Sequence, residues 1–282
     1  MNIVVTGVKG QLGYDVVREL NSRGYKNILG IDLQDLDITN EIDVNSFFEL
    51  NQPEVIVHCA AYTAVDKAEE NIESCMNVNV KGTKYLVEQA KKYNAKFIYI
   101  STDYIFDGEK NTCYETTDIP NPKSIYGESK YLGELETLKY NKHFIVRISW
   151  VFGKNGSNFV KTMLRLGKEK DIVNVVNDQC GSPTYTFDLS RLLVDFIGTD
   201  KYGIYHATNE GCCTWYEFAK EIFRLSNVNV NTLPILTSQY PTKAKRPANS
   251  MMSKSSLDEN GFLRLPNWKD ALQRYLEEIE VI

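Results

Sequence analysis

The sequence predicts an α/β fold, a doubly wound parallel sheet followed by a smaller C-terminal α/β lobe. Three observations carry that prediction. Short, nearly continuous apolar runs alternate with amphipathic stretches through roughly residue 150, as in a parallel sheet covered on both faces. A glycine-containing turn joins the first apolar run to the first amphipathic stretch. After Trp150 the alternation loosens, which marks a second lobe.

In chain order, the predicted strands of the first part are Asn2–Thr6, Asn27–Ile31, Glu54–His58, Lys96–Ser101 and His143–Ser149. Helices fill the gaps between them. Gln11–Arg23 places Leu12, Val16, Val17 and Leu20 at helical spacing, and Val78–Tyr93 does the same with Val80, Tyr85, Leu86 and Ala90. A further helix opens near Tyr126. In the second part, Asn158–Lys168, Phe187–Gly198 and Trp215–Leu225 read as helices, and Ile172–Val176 and Gly203–Ala207 as strands. Pro234 to Asn249 reads as a long loop and Trp268–Glu280 as a terminal helix. The expected organisation is a dinucleotide-binding domain over 1–152 and a substrate-binding lobe over 153–282. Elements around 186–207 are candidates to return to the first sheet.

Composition narrows the function classes. The chain has 282 residues, 43% of them hydrophobic, enough for one sizeable core or two modest ones. A net charge of -5 offers no general attraction for a phosphate polymer, so nucleic acid is not an expected partner. The longest apolar runs fall far short of the roughly 20 residues that span a bilayer, so neither is a membrane. The N-terminus lacks the basic start and long apolar stretch of a secretory signal, and the expected location is the cytoplasm. Six cysteines form no Cys-x-x-Cys pair and only three histidines accompany them, so no zinc or other metal site is predicted.

The turn Thr6-Gly7-Val8-Lys9-Gly10-Gln11-Leu12-Gly13 follows a predicted strand and opens a predicted helix. Absent side chains at Gly7, Gly10 and Gly13 let the backbone turn tightly and approach a pyrophosphate, and the helix N-terminus supplies free N–H groups. Asp32 ends the second strand about 20 residues beyond the last glycine, where a carboxylate accepts hydrogen bonds from an adenosine ribose. The ligand that fits is a dinucleotide. A carboxylate at Asp32 disfavours a 2′-phosphate and so favours NADH over NADPH.

Thr102 follows the fourth strand, and Tyr126 and Lys130 stand four apart on the predicted helix, one face presenting both phenol and ammonium. The positive charge is expected to lower the tyrosine pKa toward working pH, making Tyr126 a proton donor to a carbonyl. A hydroxyl at Thr102 would share the charge that develops on the same oxygen.

The Gly-x-x-Gly-x-x-Gly spacing resembles the extended branch of the short-chain dehydrogenase/reductase superfamily, a Rossmann-type fold. That resemblance places Ala60, Ala61 and Tyr62 of His58-Cys59-Ala60-Ala61-Tyr62 against the adenosine side of the cofactor, and Asp37 and Ile38 near the adenine. It implies Thr102 as carbonyl hydrogen-bond donor, Tyr126 as proton donor and Lys130 as tyrosine activator and ribose ligand. Further motifs narrow the resemblance. Ala64-Val65-Asp66-Lys67-Ala68-Glu69, Ser101-Thr102-Asp103-Tyr104-Ile105-Phe106-Asp107-Gly108, Ser149-Trp150-Val151-Phe152, Asn177–Thr184 and Arg246-Pro247-Ala248-Asn249-Ser250 are similar to the dTDP-4-dehydrorhamnose reductases. The resemblance covers nearly the whole chain. It implies NADH- or NADPH-dependent reduction of the C4 ketone of dTDP-4-dehydro-β-L-rhamnose, with a dTDP-sugar as small-molecule partner and a monomer or homodimer as the assembly.

Substrate candidates follow. Trp150 lies past the fifth strand, where its ring packs on a sugar or base. Arg246 would contact the diphosphate. Asp103 and Tyr104 are candidate sugar contacts, with Gln179 and Thr184 as weaker ones. In some enzymes of that family a divalent metal bridges a dimer through glutamates, one early in the first helix. Here the position holds Asp15, so no Mg2+ site is carried over. A dehydratase would need an acid pair after the threonine, whereas Asp103 is followed by Tyr104. Alternatives left open are another sugar-nucleotide reductase or epimerase, and a non-catalytic NADP-binding regulatory subunit of the methionine adenosyltransferase type.

Overall fold

The computed structural model describes all residues, 1–282. Strands β1 (Asn2–Thr6), β2 (Asn27–Ile31), β3 (Val55–His58), β4 (Lys96–Thr102) and β5 (His143–Ile148) form a parallel sheet with a sixth strand, Gly203–His206. The order across the sheet is Gly203–His206, β5, β4, β3, β1, β2. Register aligns the carboxyl ends: Thr6 lies opposite both Ile31 and His58, and Thr102 opposite Ile148. The glycine turn, Asp32, the Cys59–Tyr62 segment, Thr102 and Trp150 therefore emerge along one edge, where open parallel sheets bind ligands.

Two apolar layers cover the sheet. On one face helix α1 (Gln11–Ser22), through Leu12, Val16 and Leu20, packs with the Thr186–Ile197 helix over Val5, Val57 and Val146. On the other, α2 (Glu41–Asn51) and the Thr83–Lys92 helix cover Val4, Ile56, Phe97 and Ile145. The 186–206 segment thus contributes a helix and a strand to the nucleotide-binding sheet, although it follows residues of the other lobe. A separate core of Phe152, Phe218, Trp268, Tyr275 and their neighbours joins the Phe159–Glu169, Trp215–Leu225 and Trp268–Glu278 helices. No helix is long and apolar enough to cross a membrane.

Two expectations need correction, and one helix has no counterpart among the predicted elements. The helix expected over Val78–Tyr93 begins as a π-helical turn, Asn77–Gly82, and becomes α-helical only at Thr83. The expected loop from Pro234 starts inside a strand, Asn231–Ile235, paired in parallel with Ile172–Val176. Proline is tolerated there because a two-stranded sheet has an open edge that needs no N–H. Helix α2 carries only Val44 and Phe48 as buried positions, too sparse a stripe to register as periodicity, and Asn40 caps it by accepting from the N–H groups of Ile42 and Asp43.

Candidate active site

A cleft of about 790 Å³ runs along the carboxyl edge of the sheet. Its walls include Gly7, Gly10, Gln11, Leu12, Gly13, Asp32, Asp37, Ile38, Ala60, Ala61, Tyr62, Thr102, Asp103, Tyr104, Tyr126, Lys130 and Trp150. Of the sequence-nominated residues, Arg246 and the two weaker candidates Gln179 and Thr184 are not among them.

At the nucleotide end, Gly7 takes φ +71°, and a Cβ on it would sit 2.7 Å from the Ala60 nitrogen. A Cβ on Gly13 would lie 2.3 Å from the Gly7 carbonyl oxygen. These contacts let α1 press against the turn, and no side chain caps the helix at Gly10. Its first N–H groups are free to meet an anion. Behind the turn, His58 bonds Thr6 (2.8 Å) and Thr83 (3.2 Å), and burial pushes its pKa down to about 3, so it is a neutral tie. The Thr6 hydroxyl oxygen also accepts from the Ala60 N–H (3.0 Å), fixing the Ala60–Tyr62 wall. Asn79, projected by the π-helical turn, accepts from the Tyr62 N–H (2.8 Å) and donates to its carbonyl (3.2 Å).

The Asp32 carboxylate accepts N–H bonds from Lys9 and Leu33, each 2.9 Å. Asp37 accepts from the Thr39 N–H (2.9 Å) and hydroxyl (2.8 Å). Lys9, which the sequence reading passed over, brings its ammonium to Gln34 on the same rim. A cation there opposes the repulsion that Asp32 alone would exert on a 2′-phosphate. Asn155 donates to the Lys9 carbonyl (2.7 Å) and Asn158 to the Gln11 side chain (3.1 Å), so the second lobe closes over the glycine turn.

The Ile125–Thr137 helix is capped by Ser124, whose hydroxyl oxygen accepts from the Gly127 N–H (3.1 Å). It is pinned to β5 by a buried pair in which Arg147 donates to Glu134 at 2.9 and 2.8 Å. That docking points Tyr126 and Lys130 into the cleft. The Lys130 ammonium sits 4.1 Å from the Tyr99 ring centroid, and the Tyr126 ring meets Tyr104 edge-on at 5.5 Å.

The electrostatic expectation for this pair is corrected. Burial pushes the Tyr126 phenol well up, opposed by the Thr102 hydroxyl beside it, and pushes Lys130 down to about 7. Desolvation of the charged form is the largest cause of both shifts, so Tyr126 is held as a neutral phenol. Burial likewise pushes the Asp103 carboxyl up to about 6, against hydrogen bonds from Ser250 and Thr102.

On the second lobe, the Trp150 ring stacks on Trp215 and closes over Gly181, where a Cβ would lie 2.6 Å from the indole. Trp215 is 65 residues further along the chain, and no local pattern announces it. Arg246 does not line the cleft. It grips Asp66 with two bonds (3.1 and 2.6 Å), so the expected diphosphate contact is spent on an ion pair. Gln179 donates to Thr237 (3.0 Å) and Thr184 to the Ser149 carbonyl (2.6 Å); both are buried structural residues outside the cleft wall. Asp15 is buried on α1 and accepts from Thr186, 3.6 Å from the Arg18 guanidinium, which pairs with Glu278. Arg18 thus already lies against both carboxylates and supplies the positive charge that a cation would bring there. This arrangement does not fit a bridging Mg2+.

Residues 1–281 match the family described as RmlD substrate binding domain. The chain is 42% identical to a dTDP-4-dehydrorhamnose reductase of Aggregatibacter actinomycetemcomitans, over 96% of this chain and 97% of the relative. It is 39% identical to the spore coat polysaccharide biosynthesis protein SpsK of Bacillus subtilis, over 98% and 97%. A crystal structure of dTDP-4-dehydrorhamnose reductase from Bacillus anthracis in complex with NADP superposes with a TM-score of 0.96 at 44% identity, covering 99% of this chain and 100% of that one.

Proposed function

The chain belongs to the RmlD substrate binding domain family, and we propose that it reduces the C4 ketone of dTDP-4-dehydro-β-L-rhamnose to dTDP-L-rhamnose with NADH or NADPH. The observation that carries this reading is the convergence of Thr102, Tyr126 and Lys130 on one cleft wall, with the glycine turn at the other end. Gly7, Gly10, Gly13, Asp32, Ala60, Ala61 and Tyr62 would hold the dinucleotide, and a turn packed so closely that a Cβ on Gly7 or Gly13 would meet backbone, below uncapped N–H groups of α1, fits such a ligand. When bound, the reduced nicotinamide supplies the hydride.

The protein's own groups handle the oxygen. Tyr126, held neutral by burial, carries the proton that the ketone oxygen takes up. Thr102 bonds the same oxygen and shares its developing charge. Lys130, poised at about 7, protonates readily beside a newly formed phenolate and steadies it. Trp150, backed by Trp215, offers a flat apolar face for the sugar or base.

The test supplies enzymatically prepared dTDP-4-dehydro-β-L-rhamnose and follows NADH and NADPH absorbance separately, with the product identified by mass and NMR. Stoichiometric oxidation with dTDP-L-rhamnose formed supports the reading. Cofactor binding without oxidation rejects it in favour of another sugar nucleotide or the binding-protein alternative.

A further inference from the structure

The strap from Ala244 to Met252 crosses from the second lobe to the end of β4 and is fastened on both sides. The Ala244 N–H donates to Asp66 (3.1 Å), the Asn249 amide donates to the carbonyls of Lys110 (2.6 Å) and Thr112 (2.8 Å), and the Ser250 N–H donates to the Cys180 carbonyl (2.7 Å). Ser250 is therefore set by backbone geometry. Its hydroxyl donates to Oδ2 of Asp103 at 2.5 Å, while Oδ1 of the same carboxylate accepts from the Thr102 hydroxyl at 3.1 Å. Both Ser250 and Asp103 are 3% exposed.

A threonine hydroxyl has one hydrogen to give. Asp103 Oδ1, 3.1 Å away, and the Tyr126 phenol beside it compete for that hydrogen, an ionised carboxylate being the stronger acceptor, and Thr102 Oγ1 already accepts from the Tyr104 N–H at 3.3 Å. With Asp103 ionised, Thr102 has no hydrogen left for a ketone oxygen. A proton on Oδ1 reverses the bond: Asp103 then donates to Thr102, and the Thr102 hydrogen is released toward the cleft. Ser250 decides which oxygen carries that proton, because its own hydrogen already occupies Oδ2.

We propose that Ser250, Asp103 and Thr102 form a relay that sets the donor direction of Thr102, with Ser250 as a positioning residue. This rests on the ketone-reduction reading. The relay makes and breaks no bond to substrate: the proton that neutralises the product oxygen comes from Tyr126, and the Asp103 proton stays on Oδ1. Burial holds the Asp103 carboxyl at about 6, within reach of protonation. The groups facing it are the Tyr104 phenol beside it, Tyr126 from the Ile125–Thr137 helix, and, beyond Tyr104, the Arg246–Asp66 pair.

The test is Ser250→Ala, read two ways. In aspartate-labelled protein, the carboxyl resonance that disappears in Asp103→Asn is titrated by ¹³C NMR. Loss of the Ser250 donor moves its midpoint up by about one pH unit, the worth of one hydrogen bond to a charged group. In turnover with dTDP-4-dehydro-β-L-rhamnose and NADPH, the acid-side kcat plateau falls roughly tenfold and the alkaline decline moves to higher pH. KM and the NADPH Kd stay within about twofold, and Ser250→Thr recovers most of the lost rate. An unmoved carboxyl midpoint overturns the relay whatever the turnover, as does a loss of kcat that is the same at every pH. If the wild-type protein oxidises no NADPH with this sugar, the functional reading fails on its own, and the carboxyl titration still decides whether Ser250 governs Asp103.

Discussion

The indole rings of Trp150 and Trp215 stack with centroids 3.6 Å apart and 10° from parallel. Both rings pack against the core of the second lobe, and Trp150 also lines the cleft, so the Trp215–Leu225 helix backs that part of the cleft wall. Trp215→Ala removes the backing ring at a cost of about 0.5–1.5 kcal/mol in stacking. The expected outcome is a KM for the sugar nucleotide raised up to roughly tenfold, with an unchanged NADPH Kd by fluorescence titration. Gly181→Ala, whose Cβ would meet the Trp150 ring at 2.6 Å, should do the same.

At Gly7, alanine faces two obstacles: a φ of +71° and a Cβ only 2.7 Å from the Ala60 nitrogen. Strain of this kind costs about 1–3 kcal/mol. Gly7→Ala should lower the melting temperature and weaken NADPH binding together. A variant that melts normally and binds NADPH normally would contradict the proposed cofactor cradle.

Lys130 gives the chain a stability penalty with a defined pH window. Its pKa in the folded protein, about 7, lies below the ordinary 10.5, so between those values the unfolded chain holds a proton that the folded one does not. The penalty is full below about pH 7 and fades as pH rises toward 10.5. Lys130→Met should therefore be more stable than wild type at pH 6, by on the order of a few kcal/mol, with the difference shrinking at pH 10. The same variant should lose most turnover. Denaturant unfolding at the two pH values checks the first part, and NADPH oxidation the second.

The Arg246–Asp66 pair fastens the strap, and Arg246 holds the Asp66 carboxyl below its usual range. A depressed carboxylate contributes stability above its ordinary pKa and loses it as pH falls through the lowered one. Both side chains are partly exposed, so the coupling measured by an Arg246→Ala/Asp66→Ala double-mutant cycle should be about 0.2–1 kcal/mol at pH 7. It should vanish near pH 2. Coupling that survives strong acid would contradict an ionic fastening.

The sheet was legible because each buried strand is a continuous apolar run, and the glycine turn because its spacing has one structural use. Thr102, Tyr126 and Lys130 were legible as types and spacings, but not their electrostatics: burial, which no local sequence reports, reverses the expected shift of the phenol. The place of Arg246 was not legible for a related reason. Its partner Asp66 lies 180 residues away, and a loop arginine looks free until the strap folds back. Ser250 stood inside a quoted motif without a role, since its value comes from reaching Asp103 across two lobes. Helix α2 escaped notice because two buried side chains do not make a stripe.

Deuterium transfer tests the central claim most directly. The chain is incubated with dTDP-4-dehydro-β-L-rhamnose and NADPH carrying deuterium at both nicotinamide C4 positions, and the sugar product is examined by NMR and mass. The account predicts dTDP-L-rhamnose with one deuterium at sugar C4 per NADPH consumed, and near-complete loss of that label with Tyr126→Phe despite unchanged NADPH binding. Product without deuterium at C4, or label transfer undiminished in Tyr126→Phe, would contradict it.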